Sequence, residues 1–157
     1  MKLAVACDHR GYEAKRRLLP VLKQQGHDVT DFGCDAQSAC DYPDFAGPAA
    51  RAVANGTCEA AILMDGSGIG MSIAANKVHG VRAALVHDEV TARRAREHNH
   101  CNVLCLGTDL LSEEQIRNIV QIFLTTEFGD GRHLRRVQKL TQVEQQEIES
   151  GPERSKA

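Results

Sequence analysis

The sequence predicts one α/β domain in which helices cover both faces of a parallel sheet. Short apolar runs alternate with longer amphipathic segments along the 157 residues, and this alternation is typical of repeated strand–helix units. Several apolar runs end in an acid or a glycine, as residues 60–65 do before Gly66. Together these observations favour a doubly wound fold of about five strands, whose ligands bind outside the carboxyl ends of the strands.

The first half of the chain supplies two strands and two helices. The apolar run at residues 3–7 is predicted as the first strand, and residues 27–32 are predicted as a short second strand. Between them, residues 13–25 form an amphipathic helix pattern, and Pro20 inside it should bend or interrupt the helix. Residues 34–41 are predicted as a loop. The helix at 43–55 begins with proline in its first turn, a position where proline is favoured.

The second half continues the alternation. Strands are predicted at residues 60–64, 81–86 and 102–106, and helices at 71–77 and 89–97. Ser112 and Gln115 form a capping-box pattern that opens a helix reaching about residue 125. A last helix is predicted after Gly131, through residue 148. No repeat or linker is visible, so residues 1–149 are predicted as a single domain and the polar residues 150–157 as a disordered tail.

Composition excludes several classes of protein. The formal net charge of −2 gives no electrostatic case for binding nucleic acid or an anionic membrane. No apolar run approaches the roughly 20 residues that span a bilayer, and the N-terminus lacks the pattern of a secretory signal. The six cysteines contain no CxxC pair, which favours a cytoplasmic protein with reduced thiols. The absence of Trp argues against recognition by base stacking.

The most informative segment is the glycine-rich stretch after the third predicted strand, Gly66-Ser67-Gly68-Ile69-Gly70. Its backbone N–H groups suit a small anion at the start of a helix, although a tight turn needing glycine only for its shape is equally compatible. The pattern is neither a dinucleotide fingerprint nor a P-loop. The preceding Asp65 either caps the helix or serves as a general base.

Other polar groups follow the ends of the predicted strands and should lie along the same rim of the sheet. They are Asp8-His9, His87-Asp88 and Gly107-Thr108-Asp109. His98-Asn99-His100-Cys101 resembles a metal cluster, but two histidines that are two residues apart point to different sides of a helix. We therefore predict no metal site there. His98 at a helix end is a candidate for acid–base chemistry or a solvated surface histidine.

Arg132 and Arg136 are four residues apart on the last predicted helix. Two forked guanidiniums on one helical face suit a phosphate dianion. The alternative is an ordinary solvated charged face.

As a set, these residues resemble the ribose-5-phosphate isomerase B / galactose-6-phosphate isomerase family of sugar-phosphate isomerases. The matching motifs run in family order from about residue 1 to 145: Cys7-Asp8-His9-x-Gly11, Asp41-Tyr42-Pro43, Gly66-Ser67-Gly68-x-Gly70 with Ile73-Ala74-Ala75-Asn76-Lys77, His98-Asn99, and Gly131-Arg132-His133-x-x-Arg136. The resemblance implies a Rossmann-like three-layer α/β/α sandwich. It also implies a homodimer, with a tetramer as a larger alternative, whose active sites lie at the dimer interface.

The resemblance further implies cofactor-free aldose–ketose isomerisation of a sugar phosphate through an enediolate. His98 would assist opening of the sugar ring, and Ser67 with the backbone of Gly66, Gly68 and Gly70 would stabilise the enediolate oxygen. Arg132 and Arg136 would hold the phosphate. The remaining predicted binding residues are Asp8, His9, Tyr42 and Asn99. Ribose 5-phosphate is the default substrate, and a tetrose, allose or galactose phosphate is the alternative. A non-catalytic sugar-phosphate binding protein is a third hypothesis.

Two positions depart from the family pattern. One branch of the family has a catalytic cysteine at the position of Asp65, and another has a glutamate at the position of Met71. This chain has neither, and we expect Asp65 to replace the cysteine as base. At position 109 the family commonly has a phosphate-binding arginine, whereas Asp109 would repel a phosphate dianion.

Overall fold

The chain is described by a computed structural model that covers residues 1–35 and 37–150. The strands are β1 (Lys2–Cys7), β2 (Asp28–Asp31), β3 (Ala60–Asp65), β4 (Ala83–Leu85) and β5 (Val103–Gly107). The helices are α1 (Tyr12–Gln24), α2 (Pro43–Ala54), α3 (Ile69–Ala75), α4 (Glu89–Asn99), α5 (Glu113–Thr125) and α6 (Arg132–Glu149). Every predicted element is present, with its ends moved by a few residues.

The five strands form one parallel sheet in the order β2-β1-β3-β5-β4. The predicted doubly wound fold is thus confirmed. The chain moves from β1 outward to β2, then returns to place β3 on the other side of β1. Ligands of such sheets bind at this reversal of strand order, outside the carboxyl ends of the strands. Here that point lies between Cys7 of β1 and Met64 of β3, which are paired in register.

Alternating residues of the central strands build two separate cores, one on each face of the sheet. Leu3, Val5 and Ile62 face the core made with α1, α4 and α5. Ala4 and Ala6 face the other core, made with α2 and α3. Because side chains of a strand alternate between faces, a strand buried on both sides must be apolar throughout, as β3 is until Asp65. The expected three-layer sandwich follows from this arrangement.

The core shared with α2 and α3 is lined mostly by small side chains. Its buried alanines are Ala4, Ala6, Ala46, Ala49, Ala50, Ala52, Ala61 and Ala75. Small side chains allow helix and sheet backbones to approach closely. α2 packs directly against β1 and α3, which brings its N-terminal residue Tyr42 beside the turn that precedes α3.

Three elements differ from their predicted form. α1 runs without interruption through Pro20, because Leu18 and Leu22 on either side of it are buried in the core. β4 is only three residues long, and the side chain of Asn76 extends its edge by donating to Ala83 O and accepting from Ala83 N, both at 2.9 Å. α3 begins two residues earlier than predicted because Asp65 accepts hydrogen bonds from its first turn.

The last helix lies outside the three layers and packs against α4. Ser150, the first residue of the predicted tail, donates its N–H to Gln146 O at 2.8 Å, and the rest of that tail lies outside the described residues. Among residues 1–35 and 37–150, no helix combines the length and apolar character that a membrane span requires.

Candidate active site

The end of β1 delivers Asp8 and His9 to the carboxyl edge of the sheet. Asp8 is buried, and its Oδ1 accepts from the N–H groups of Arg10 at 2.8 Å and Gly11 at 3.1 Å. His9 Nδ1 lies 3.9 Å from Asp8 Oδ2 and 3.3 Å from both the backbone N and O of Cys40. The aspartate therefore shapes the loop, while the imidazole is oriented between the loop after β1 and the segment before α2.

The end of β3 delivers Asp65, whose carboxylate organises the glycine-rich turn. Asp65 is only 5 % exposed. Its Oδ1 accepts from Ser67 N at 3.0 Å and from Gly68 N, and its Oδ2 accepts from Met71 N at 3.1 Å. A carboxylate has about four lone-pair sites, so three backbone donors leave one unoccupied. Asp65 thus caps α3, and one site on its carboxylate remains for a ligand.

The turn itself requires glycine at two positions for different reasons. Gly68 has φ of +78°, in the left-handed region that glycine adopts without strain. Gly70 lies under the ring of Tyr42, where an added Cβ would come within 2.9 Å of the ring carbon Cε1. The Ser67 hydroxyl accepts from Ile69 N at 3.2 Å and retains its own proton for donation. This close packing sets Tyr42 as one wall of the site.

The loop after β5 closes the other side. Thr108 donates its N–H and its hydroxyl to Asp65 O at 2.8 and 3.0 Å, and Asp109 N donates to Gly66 O at 3.1 Å. The result is an open cleft at the point where strand order reverses. Its lining residues are Asp8, Tyr42, Asp65, Gly66, Ser67, Gly70, Asp109 and Leu110.

His98, at the C-terminal end of α4, belongs to a second cluster at the N-terminus of α6. Its ring stacks on that of His133, with the centroids 4.2 Å apart and the planes 6° from parallel. Arg132 Nε lies 3.5 Å from His133 Nε2. Gly129 N donates to Glu97 O at 2.9 Å, which ties the segment before α6 to α4. Asn99 is the last residue of α4.

The predicted site residues therefore fall into two groups. Asp8, Tyr42, Asp65, Gly66, Ser67 and Gly70 line the cleft, with His9 and Gly68 on the same loops. His98, Asn99, Arg132 and Arg136 lie where α4 meets α6, and none of these four lines the cleft. Within the described residues, no hydrogen bond, ion pair or ring contact joins one group to the other.

Sequence reasoning did not single out Arg10, and it gave no separate role to Thr108 or His133, which it named only as members of the rim and of a family motif. Each of the three acts through a partner distant in sequence, such as Arg10 with Asp109, so local patterns did not indicate its role. The two histidines of the His98-Asn99-His100-Cys101 pattern, considered above as metal ligands, pack against different rings: His98 stacks on His133, and His100 stacks on Phe128. In the part of the chain that the structure describes, no three His, Cys, Asp or Glu side chains are grouped to hold a metal ion.

Burial makes the thiols of Cys7, Cys40 and Cys101 poor nucleophiles at neutral pH. Burial raises the pKa of the Cys7 thiol to about 12 and that of Cys101 to about 11. Burial also raises the pKa of Cys40, beside His9, to about 11. None of these three thiols has the lowered pKa of a nucleophilic cysteine.

The fold is that of an α/β protein with an open cleft at the carboxyl edge of its sheet. The sequence profile of the Ribose/Galactose Isomerase family matches residues 3–140, and the chain belongs to this family. The family and enzyme class expected from the sequence, an aldose–ketose isomerase, are confirmed.

Individual relatives agree over nearly their full lengths. Ribose-5-phosphate isomerase B of Escherichia coli (strain K12) is 38% identical over 144 residues, 92% of this chain and 97% of the relative. D-erythrulose-4-phosphate isomerase of Pectobacterium atrosepticum is 36% identical over 148 residues, 94% of this chain and 97% of the relative. The structure of ribose-5-phosphate isomerase B from Clostridium thermocellum superposes with a TM-score of 0.91 at 42% identity, covering 93% of this chain and 99% of the other.

Proposed function

We propose that this protein isomerises a phosphorylated aldose to the corresponding ketose through an enediolate, without a cofactor, with ribose 5-phosphate and ribulose 5-phosphate as the substrate pair. The observation that carries the proposal is the buried Asp65 carboxylate beside the Ser67 hydroxyl, in the cleft of a chain of this family. Isomerisation moves one proton between C2 and C1, which a single base beside hydrogen-bond donors can achieve.

In this proposal Asp65 removes the C2 proton with the lone-pair site that its three backbone donors leave unoccupied. The negative charge then develops on the neighbouring oxygen, where Ser67 donates a hydrogen bond. The first-turn N–H groups of a helix have no partner within the helix. Those of Ile69 and Met71 are used by Ser67 and Asp65, so the N–H of Gly70 is the remaining first-turn donor beside the cleft.

The second group of residues would act on the two ends of the substrate. His98 would transfer the proton that opens the sugar ring, and Asn99 would bind a hydroxyl beside it. Arg132 and Arg136, both exposed in the first turns of α6, would hold the phosphate dianion by charge-assisted hydrogen bonds. Asp8, His9 and Tyr42 would bind the sugar within the cleft.

The separation of the two groups supports a homodimer in which each site draws on both chains. Ile69 and Ile73 of α3 are more than half exposed beside the cleft, and α6 exposes Leu140 and Val143. Exposed apolar side chains of this size on the surface of α3 and of α6 are typical of surfaces that another protein covers. A two-fold axis would carry the α4–α6 cluster of one chain to the cleft of the other. A tetramer would be a further association of such dimers.

Complementation between inactive subunits tests this shared site. Asp65→Asn and His98→Asn chains carrying different tags are co-expressed, and each variant alone should be inactive. With random pairing, half of the dimers contain both chains, and one of their two sites is intact, so about a quarter of wild-type activity should return. If each chain carries its whole site, the mixture stays as inactive as its components.

Sugar phosphates of different chain length are the alternatives to ribose 5-phosphate as the substrate. The relative from Pectobacterium atrosepticum is a D-erythrulose-4-phosphate isomerase, so family membership is compatible with a four-carbon substrate. Asp109 at the rim of the cleft is a second reason to compare sugars of different length. Ranking kcat/KM for ribose, erythrose, allose and galactose phosphates would identify the preferred chain length.

The first experiment is ketose formation by the purified protein from ribose 5-phosphate with EDTA present. Turnover supports the proposed reaction and is expected without added metal. If no sugar phosphate turns over while ribose 5-phosphate still raises the melting temperature, the chain is a binding protein and the proposal is wrong. A cytoplasmic location and a single domain over residues 1–149 belong to the same proposal. They are supported by the absence of a CxxC pair from the sequence and by the single sheet of the described residues.

A further inference from the structure

The proposed reaction uses His98 but gives no role to His133, whose ring stacks on that of His98 between α4 and α6. The His98 and His133 rings are nearly parallel, with 4.2 Å between their centroids. His133 Nδ1 is buried without a hydrogen-bond partner in the described structure. A buried polar atom without a partner carries a free-energy cost, so the position of this ring is maintained by its packing on His98 and by the fold around it.

The surroundings of His133 keep it uncharged. Burial lowers its pKa first, and the neighbouring His98, Arg132 and Arg136 lower it further, while Glu97 of α4 acts in the opposite direction. The loop before α6 contributes Gly129, which carries no charge and whose added Cβ would lie 3.3 Å from His133 Cδ2. At neutral pH the His133 ring is therefore a flat, neutral surface with His98 on one face.

His98 has little else to fix its orientation. Its side chain is 36 % exposed, and its Nε2 is 3.9 Å from Glu97 Oε2, a long and exposed contact. An exposed imidazole with one weak partner would sample several rotamers. The stack removes this freedom without using either ring nitrogen of His98, which leaves both available for proton transfer.

We propose that His133 is a positioning residue for His98: its flat ring, stacked on His98, holds the His98 imidazole in one orientation while leaving both His98 nitrogens open to the sugar ring. This inference rests on the proposed function, since it assigns His133 to the ring-opening step of that reaction. His133 itself touches no reacting atom.

The test compares His133→Phe, which keeps a flat ring, with His133→Ala, which removes it. We expect kcat for ribose 5-phosphate to fall about tenfold in His133→Ala and to stay within about twofold of wild type in His133→Phe, because small losses of orientation cost rate. Erythrose 4-phosphate cannot close a furanose ring through its phosphorylated O4. Its C2 proton exchange should be equally fast in both variants and the wild type.

The ¹H resonances of the His98 ring provide a readout that needs no turnover. Ring-current shifts from His133 should disappear in His133→Ala and persist in altered form in His133→Phe. Phe128→Ala is the matched control, since it breaks the similar His100–Phe128 stack, with centroids 4.4 Å apart, and should leave kcat and the His98 resonances unchanged.

Three outcomes would overturn the inference: unchanged His98 resonances in His133→Ala, unchanged kcat for ribose 5-phosphate in that variant, or an equal loss in His133→Phe. If the wild-type protein turns over no sugar phosphate, the proposed function fails. The resonance comparison then still reports whether His133 orients His98.

Discussion

Asp109 and Arg10 form an ion pair across the rim of the cleft, in which Asp109 Oδ2 accepts from Arg10 Nε at 3.1 Å and from Nη2 at 2.5 Å. The two residues come from the loops after β1 and β5, on either side of β3. Asp109 raises the pKa of Arg10 through this hydrogen bond and its charge. The acid expected to repel a phosphate dianion is therefore neutralised by an adjacent guanidinium, which the sequence analysis did not foresee.

Replacing Asp109 should change KM for the substrate more than kcat. In Asp109→Asn the Arg10 guanidinium loses its counter-charge, so we expect KM for a sugar phosphate to fall about sixfold at low salt, as Coulomb's law predicts for a phosphate dianion about 8 Å from the removed charge in water. Added salt should remove this difference, and kcat should change little.

Glu113→Gln is the matched control for Asp109→Asn. Glu113 pairs with Arg17 and Arg117 at 2.8 and 2.9 Å, so this variant also releases guanidiniums from a carboxylate, but away from the cleft. Steady-state kinetics of both variants at two salt concentrations make the comparison. An equal fall in KM in the two variants would mean that net charge, and not the position of Asp109, controls binding.

Asp65→Asn should abolish proton exchange at C2. We expect a loss of about 100- to 10,000-fold, the usual contribution of a general base, measured by loss of deuterium from C2 of the substrate. The free energy of unfolding should also fall by about 1–3 kcal/mol, because the amide NH2 of asparagine would face a backbone N–H that now donates to the carboxylate.

Asp88→Asn is the matched control for Asp65→Asn, because it also replaces a helix-capping aspartate by asparagine. Asp88 caps α4 by accepting from Thr91 N at 2.6 Å, and asparagine is nearly as good a cap as aspartate. This variant should retain wild-type exchange. Wild-type exchange in Asp65→Asn would exclude Asp65 as the base and leave it as a structural cap alone.

Gly70→Ala should impair the sugar-binding wall. The new Cβ would lie 2.9 Å from the Tyr42 ring, and Tyr42 is partly exposed, so the ring can turn away from the cleft. We expect KM to rise severalfold with a small change in melting temperature.

Gly47→Ala is its control within α2. There the nearest atom to an added Cβ is the tip of the Arg51 side chain at 3.3 Å, which can move, and alanine in a helix is favoured over glycine by about 0.5–1 kcal/mol. Gly47→Ala should be at least as stable as wild type and fully active. Equal kinetics for the two variants would mean that the Tyr42 ring does not contribute to binding.

The buried thiols predict a loss of stability at alkaline pH. The folded-state pKa of Cys7 is about 12, against an ordinary value of 9.0. Above pH 9 the unfolded chain releases this proton while the folded chain keeps it, so the free energy of unfolding falls by up to about 1.4 kcal/mol per pH unit for each such thiol until the folded pKa is reached. Below pH 9 this contribution is constant.

Urea denaturation at pH 8, 9 and 10 measures this dependence. Cys7→Ala should be less stable throughout because of the methyl-sized gap, but its stability should decline less steeply above pH 9. Identical slopes in the variant and the wild type would contradict the assignment of the alkaline loss to Cys7.

The sequence predicted the fold well because its signals are local. Short apolar runs marked the central strands. Ser112 with Gln115 forms the predicted capping box, with Ser112 Oγ accepting from Gln115 N at 3.2 Å. Asp65 was recognised as a possible cap, but α3 was predicted to start two residues late because Asp65 also accepts from Met71 N, six residues further on. No standard capping pattern has that spacing.

Contacts between distant residues could not be predicted. Lys15 is buried in α1 because its Nζ donates to both oxygens of Asp31 and to Cys34 O, at 2.7–3.0 Å, a contact between a helix and a strand edge. The Arg10–Asp109 pair joins residues 99 positions apart. Periodicity indicates which face of an element is buried, but it does not identify the particular partner across the interface.

The small-residue core between α2 and the sheet has a consequence for how the site can be altered. Tyr42 directly precedes α2, and the alanines of α2 pack against β1. The distance between α2 and the sheet, which these alanines set, therefore also sets the distance between the Tyr42 ring and Gly70. Enlarging Ala46 or Ala49 by a few atoms would lift the helix and widen the cleft with no lining residue replaced. If the cleft holds the sugar as proposed, the size of sugar that fits would be adjustable from within the core, by residues that no substrate would touch.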